Sequence, residues 1–541
     1  MSNWDFIIVG AGSAGCVLAN RLSANNRHNV LLLEAGPADR SPWLHVPVGY
    51  AKTYYDARVN WMYKTEPVPG LSHRQDYWPR GKVLGGSSAI NAMVFIRGQH
   101  ADYDDWAQMG APGWSWADVL PAFRKLENCE VGDEQLRGRL GPVPVSGIQH
   151  ATHPMNETVL KACENLGLTR NDDFNGRIQE GVGYYQINAA NGRRVSAASA
   201  YLKPARGRKT LTIETGAQVL RLLFNGTRCN GLEYVQGGRK HTVGAAKEVV
   251  LSAGAINSPQ ILQCSGIGDP ALLRAMDIPL VHASPNVGLN LQDHLGINYF
   301  YRSHVSTLND QFNSVFGRIR AGLQYLLTRG GPLSISVNQS GGFFRSNSSR
   351  SRPNLQLYFQ PTSYLEAPKG TRPVIKLDRF SAYNVGVSQC RPTSRGRVVI
   401  KSPDCTQPPS IQPNYLSTNH DVKELMEGTR FLRRLVATEP LFTVTAEELL
   451  PGADVQTDEQ ILEDIRSRAG TIFHPTSTCR IHVDANQGVV DPRLRCYGIG
   501  GLRIADASVF PSVISGNTNV PVMMLAERAA ELINEDYSRD G

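Results

Sequence analysis

The chain lacks any uninterrupted apolar run of the roughly 20 residues that a bilayer crossing needs, so no transmembrane anchor is expected. It also lacks a CxxC pair. Its nine cysteines are scattered and odd in number, which suits reduced thiols better than a disulfide framework. Met1-Ser2-Asn3 leads straight into the strand-like Asp5-Phe-Ile-Ile-Val9, without a basic segment, an apolar core or a small-residue cleavage site. A cytoplasmic location is therefore expected, and the sequon Asn225-Gly-Thr227 carries no weight. No Lys/Arg block is interleaved with aromatic residues, so the net charge of +8, spread along the chain, does not point to nucleic acid. The Arg/Ser-rich stretch 345–352 reads as a solvated loop. The sign of the charge does suit loose attachment to an anionic membrane surface, such as the inner membrane face.

What is present is a folded chain of 541 residues, 41% hydrophobic and 19% charged, long enough for two domains or one elaborated domain. The first forty residues read as a βαβ unit. A strand from Phe6 to Val9 is followed by a glycine turn, a helix from Cys16 to Ala24 and a strand from Val30 to Glu34. Irregular, Trp/Tyr/Pro/Gly-rich sequence then runs to about Gly113. The spacing predicts a helix from Trp116 to Glu127 and an exposed linker from Arg137 to Pro144. Strand-like segments at Thr212–Thr215, Val219–Phe224, Asn230–Val235 and Glu248–Ser252 suggest a small antiparallel sheet. Further strands at Leu355–Gln360, Tyr383–Gln389 and Arg397–Lys401, with a helix from Asp421 to Thr438, suggest a second unit. The chain ends with a strand, Leu502–Ala505, and a helix, Pro521–Ile533, so both termini are expected to build one nucleotide-binding unit.

The turn itself is Gly10-Ala-Gly12-Ser13-Ala14-Gly15, a GxGxxG between a strand and a helix, with Glu34 about twenty residues on, at the end of the second strand. Gly10 permits the tight turn, Gly12 lets a pyrophosphate reach backbone N–H groups at the helix start, and Gly15 allows close packing. Glu34 can accept ribose hydroxyls. These residues do not by themselves separate NAD from FAD. Two later apolar strands, each delivering a small or acidic edge, bear on that choice: one ends at Ala253-Gly254 and the other at Asp506-Ala507.

Two long motifs go further. Gly81-Lys-Val83-Leu-Gly85-Gly86-Ser-Ser-Ala-Ile-Asn91-Ala92-Met93-Val94 and Gly254-Ala-Ile-Asn-Ser-Pro259 onward to Gly268 resemble the two signatures of the glucose-methanol-choline oxidoreductase family. Asn286-Val-Gly-Leu-Asn-Leu-Gln-Asp-His294 and the closing Asp506-Ala-Ser508 and Gly516-Asn-Thr518-Asn519 are similar to further family stretches. The resemblance runs nearly end to end and is nearest to bacterial members of the choline dehydrogenase-like kind, alcohol dehydrogenases among them.

The resemblance implies an α/β fold: a Rossmann-like FAD-binding domain from 1–150, 191–298 and 472–541, and a substrate domain from 151–190 and 299–471 with an antiparallel sheet flanked by helices. It places the 85–88 loop and Asn91 beside the flavin and Val219 at the adenine. It also implies noncovalent FAD, because Ile90 stands where some relatives carry the histidine that bonds the cofactor. It makes His474, in His474-Pro475-Thr-Ser-Thr-Cys479, the base and Asn517 its partner on the substrate oxygen. Losing hydride from an alcohol carbon is easier as the O–H proton leaves, which a nearby imidazole serves. The segment departs from the family pattern at Ser477, where Gly is frequent, and at Ile481-His482.

The expected reaction is oxidation of a neutral aliphatic, aromatic or polyol primary alcohol, with electrons passed to a quinone or another acceptor. An oxygen-reducing oxidase and a choline dehydrogenase are alternatives within the family. Choline is disfavoured because a quaternary ammonium wants a carboxylate, and this chain has Gln339-Ser-Gly-Gly-Phe343 where choline-type relatives carry Glu shortly before Gly-Gly-Phe. A redox-silent hydroxynitrile lyase and a non-catalytic FAD-binding protein are the rivals from other classes. A zinc site from His474, Cys479, His482 and Cys496 matches no standard ligand spacing, so no metal is expected.

Overall fold

The computed structural model describes residues 4–365 and 376–538 and is built on two large sheets. In the first, Trp4–Val9, Val30–Glu34 and Leu211–Thr215 run parallel, with Arg239–Leu251 on the other side of Trp4–Val9 and Leu502–Ile504 beyond it. Val30–Glu34 is buried throughout, as a central parallel strand covered by helices on both faces must be. Ser13–Leu22 and the last helix, Asn519–Ser538, pack against each other, tied by Arg21 to Glu527 at 2.7 Å. Both chain ends therefore enter the same layer.

Arg239–Leu251 serves two layers. Its first half pairs antiparallel with Arg228–Gln236, which pairs antiparallel with Ala217–Asn225, while its second half runs parallel to Trp4–Val9. The antiparallel sheet expected from the sequence is thus smaller than thought: Leu211–Thr215 and the end near Leu251 are parallel strands. Alternation marks a strand but does not name its partner.

The second sheet is antiparallel, in the order Thr445–Leu450, Leu295–Ser303, Ala382–Gln389, Leu355–Gln360, Ser340–Phe344, Gly181–Tyr184. Its two faces are split by the strand period of two. Leu355, Leu357 and Phe359, with Ile297, Tyr299 and Tyr301, enter a core that includes Leu425, Phe431 and Leu432 of the helix Asn419–Val436. The alternate residues, Asn298, Tyr358 and Gln360, face a cavity between the two sheets.

Two expectations fail. Residues 137–144 are not an exposed linker. Arg137 is buried, its guanidinium 2.8 Å from Glu127 and 2.5 Å from Asp173, and Arg97 meets the same Glu127 at 2.5 Å. Pro and Gly density marked the segment as loop, but Arg137 is drawn inward by the buried Glu127, ten residues before it, and by Asp173, thirty-six residues after it. The stretch before Gly113 holds a helix, His100–Gln108, capped by Gln99 and Asp102; glutamine is an unusual cap and gave no sequence signal.

Candidate active site

The cavity, of about 510 Å³, begins at the glycine turn and ends at His474 and Asn517. Helix Ser13–Leu22 starts at Gly12 with no side-chain cap, so its first N–H groups point at the cavity unpaired. A Cβ added at Gly15 would sit 1.8 Å from the Gly10 carbonyl, whereas one added at Gly12 would meet nothing within 4 Å. Gly15 is therefore a packing glycine, and Gly12 borders open space. Glu34 is buried beneath the turn, accepting from the N–H of Ala11 and of Gly36 at 2.8 Å each; burial pushes its carboxyl up to about 7 against those two hydrogen bonds.

Most of the expected cofactor residues meet on this cavity. Gly10, Gly12, Ser13, Ala14 and Glu34 line one end, with Val219 nearby. Ala253, Gly254, Asp506 and Ala507 line its middle, where Asp506 accepts from the Gly254 N–H at 2.8 Å and from Ser258 Oγ at 2.6 Å. Gly86, Asn91, Ala92, Met93, Val94 and Thr518 line the opposite wall. Three expected residues do not reach it. Gly15 packs under the turn, Val83 is wholly buried, and Gly85 donates its N–H to the Ala11 carbonyl at φ 94°. They shape the wall from behind.

The site fits a dinucleotide on two independent observations. Gly12 leaves backbone N–H groups open where a phosphate would lie. Asn519, at the start of the last helix, lines the cavity with its amide Nδ2 unpartnered and buried among the described residues.

At the far end a chain of hydrogen bonds fixes a proton. Gln356 Nε2 lies 3.4 Å from Asn517 Oδ1, and Asn517 Nδ2 lies 3.2 Å from His474 Nε2. His474 Nδ1 lies 2.9 Å from His294 Nδ1, and His294 Nε2 lies 2.9 Å from the Cys390 carbonyl. A carbonyl only accepts, so His294 carries its hydrogen on Nε2 and must accept at Nδ1. His474 then carries its hydrogen on Nδ1. Its Nε2 is left as a lone pair facing the cavity beside the Asn517 amide.

Burial holds both rings neutral. It pushes His294 down to about 4, and it pushes His474 well below the ordinary imidazole range, with His294 and Arg80 adding repulsion. The backbone around His474 is pinned by Asp293, which accepts from the His474 N–H at 2.6 Å and from Thr471 Oγ1 at 2.5 Å; Arg80 donates to the Phe473 carbonyl at 2.7 Å. Burial raises the Asp293 carboxyl to about 6. None of Arg80, Asp293 or His294 was singled out from sequence. The last two stand in a motif that was noticed, but its role depends on a contact 180 residues away.

Ser477 explains its own oddity, since φ there is 75°, a left-handed backbone that glycine adopts without strain. Gln339, the residue standing where choline-type relatives carry Glu, is turned away from the site. It does not line the cavity; its Oε1 accepts from Asn156 Nδ2 and the His153 N–H, and the preceding Asn338 takes the cavity wall. Among the described residues no group of three or more His, Cys, Asp or Glu is arranged to hold a metal ion.

A family model described as GMC oxidoreductase matches residues 4–296, and its C-terminal counterpart matches 392–526. A mitochondrial choline dehydrogenase of Mus musculus is 41% identical over 541 residues, covering 98% of this chain and 89% of its own. An alcohol dehydrogenase (acceptor) of Pseudomonas putida is 41% identical over 534 residues, covering 98% and 95%. Among solved structures, a formate oxidase of Aspergillus oryzae studied for its FAD modification superposes with a TM-score of 0.91 at 27% identity, covering 99% of both chains. A glycine turn opening a long cavity, a histidine and an asparagine closing it, and two matched family models that together take in most of the chain lead to one assignment: the chain belongs to the GMC oxidoreductase family.

Proposed function

We propose that the chain is an FAD-dependent alcohol dehydrogenase that oxidises a neutral primary alcohol to the carbonyl compound and passes the electrons to a quinone or similar acceptor. The carrying observation is the His474 Nε2 lone pair beside the Asn517 amide, at the end of a cavity that starts on a dinucleotide turn. Bound FAD supplies the hydride acceptor. Gly12, Glu34, Asn91, Val219, Asp506 and Asn519 would hold it, and noncovalently, because Ile90 offers no nucleophilic atom beside the cavity.

His474 Nε2 takes the hydroxyl proton, and Asn517 Nδ2 donates to the same oxygen and so orients the carbinol carbon. Because the imidazole is neutral well into weakly acidic solution, the base form is present at working pH without a carboxylate partner. Arg80 and Asp293 hold the loop that carries it.

The substrate end of the cavity supports a neutral alcohol. It is lined by Tyr54, Tyr55, Trp61, Tyr358, Tyr364 and Phe473, with Asn298, Asn338 and Gln360 as polar contacts. The two carboxylates among the described lining residues are Glu34, at the glycine turn, and Asp506, in the middle of the cavity, and both are engaged by backbone N–H groups. A quaternary ammonium would find aromatic faces but no countercharge. The alcohol dehydrogenase (acceptor) of Pseudomonas putida supports the dehydrogenase reading over an oxidase.

An anaerobic panel of alcohols, followed by the visible absorbance of the bound flavin, tests this reading. Neutral primary alcohols should bleach the flavin faster than choline at equal concentration. A flavin that stays oxidised with every alcohol, as in a lyase, or a higher specificity for choline than for any neutral alcohol, would end it.

A further inference from the structure

The helix Val315–Thr328 is turned inside out. Its buried face is made of small residues and one tyrosine, Gly317, Ala321 and Tyr325. Its outward face carries Val315, Phe316, Ile319, Leu323, Leu326 and Leu327, with Phe316 75% and Leu327 81% exposed. At 100° per residue these six fall in one sector of about 120°, and Arg318 and Arg320 stand on its two margins. A helix docked on a protein core carries the opposite arrangement.

The charge around it has one sign. Residues 311–365 contain six arginines, no lysine and no Asp or Glu, and Arg318, Arg320 and Arg329 are exposed. An apolar stripe flanked by guanidinium groups on long aliphatic stems is the pattern of a helix lying in the headgroup layer. The stripe enters the acyl boundary and the cations reach lipid phosphates. A second copy of the chain fits less well, because a two-fold contact on this face would gather the arginines of both copies with no Asp or Glu in 311–365 to offset them.

From these observations we infer that the face built by Val315–Thr328 docks on an anionic lipid surface. The docking does not depend on the proposed reaction, but it suits it. Nine residues after the helix ends the chain forms the cavity wall at Val337 and Asn338. The intervening turn, Pro332–Ser334, packs on Pro47–Gly49, which leads into the cavity residues Tyr50, Tyr54 and Tyr55. A docked helix thus sets this wall of the cavity toward the bilayer, where a lipid-soluble acceptor or a long-chain alcohol is concentrated.

Flotation of the purified FAD-loaded protein with phosphatidylcholine vesicles, with and without about a third phosphatidylglycerol, tests the docking. The wild type should float with the anionic vesicles and release at about 0.5 M salt. The triple variant Phe316→Ser, Leu323→Ser, Leu327→Ser should stay in the soluble fraction. The triple variant Arg318→Gln, Arg320→Gln, Arg329→Gln should bind about a hundredfold more weakly, at about fivefold per arginine. Both variants should keep the wild-type melting temperature and the wild-type rate with a soluble dye acceptor. A wild type that ignores anionic vesicles overturns the inference, as does one that sediments as a dimer which the serine variant dissociates.

Discussion

If the Cys390 carbonyl sets the proton on His294, and His294 sets the proton on His474, then removing His294 should impair a base it leaves chemically intact. Consider His294→Leu. The His474 Nδ1–H loses an acceptor 2.9 Å away in a site buried on all sides. An unpaired buried donor costs about 1–3 kcal/mol. The imidazole can avoid that cost by moving its hydrogen to Nε2, where Asn517 Oδ1 accepts it after an amide flip, and in that form it cannot take a proton from an alcohol. The base-competent fraction, and with it kcat/KM, should fall about 5- to 150-fold. His294→Gln supplies an acceptor for His474 and a donor for Cys390 from one amide, so it should recover most of the loss. Anaerobic stopped-flow reduction of the bound flavin across pH 5–9 measures both variants. The acid limb adds an independent signature: burial, the largest cause of the lowered His474 range, persists in the leucine variant, and the imidazolium loses the His294 acceptor of its Nδ1–H, so the limb should stay on the acid side and not move up toward 6.5. A leucine variant as fast as the wild type, or a glutamine variant as slow as the leucine one, would refute the assignment of the proton.

The same geometry sets further expectations. Gly12→Ala should fold as the parent does but retain FAD poorly, whereas Gly15→Ala should lower the melting temperature of the apoprotein, because its Cβ meets the Gly10 carbonyl; fluorescence of released FAD and apoprotein melting separate the two. His294 is held down near 4 against an unfolded value of 6.5, so its contribution to stability is complete above pH 6.5 and is lost as pH falls toward 4, about 3 kcal/mol in all. His294→Gln lacks that contribution, and melting curves between pH 7.5 and 5 should fall more steeply for the wild type; parallel curves would contradict it. Asn338→Glu puts a carboxylate on the aromatic wall and should raise kcat/KM for choline about tenfold while leaving a neutral alcohol no better used. Glu127→Ala leaves the Arg97 and Arg137 guanidiniums buried without their shared carboxylate and should destabilise the fold by about 3–5 kcal/mol, read as a large drop in melting temperature.

The nucleotide layer was legible because its signals are local. A strand, three glycines, a helix and an acid within the first 34 residues carry their own physical meaning, and the structure lays Gly10, Gly12 and Glu34 on one cavity with Gly15 packed beneath the turn. His474 and Asn517 were legible as positions but not as a device. Their proposed function as a pair depends on the 3.2 Å contact between loops 43 residues apart and on a tautomer fixed through His294 and Cys390. Arg137 shows the limit from the other side. Gly138, Gly141 and Pro142 follow it in sequence and read as surface, while its neighbours in space are Glu127 and Asp173. The apolar face of Val315–Thr328 was hidden for a related reason, since periodicity reveals an apolar stripe but not which way it turns.

One short segment binds these observations together. Asp293 and His294 are consecutive, immediately before the strand Leu295–Ser303 of the antiparallel sheet, and they contact His474 at two different points. Asp293 grips the backbone N–H and so fixes where the residue sits; His294 grips the ring and so fixes which nitrogen is bare. A charged Asp beside the ring would instead favour the imidazolium, which cannot serve as base. Placing the carboxylate on the backbone and a neutral imidazole on the side chain separates positioning from charge. Because strand Leu295–Ser303 also presents Asn298 to the substrate end, a shift of that strand on alcohol binding would move the base and the pocket wall together. If that sheet reads the substrate as proposed, variants along this strand should change kcat as well as KM.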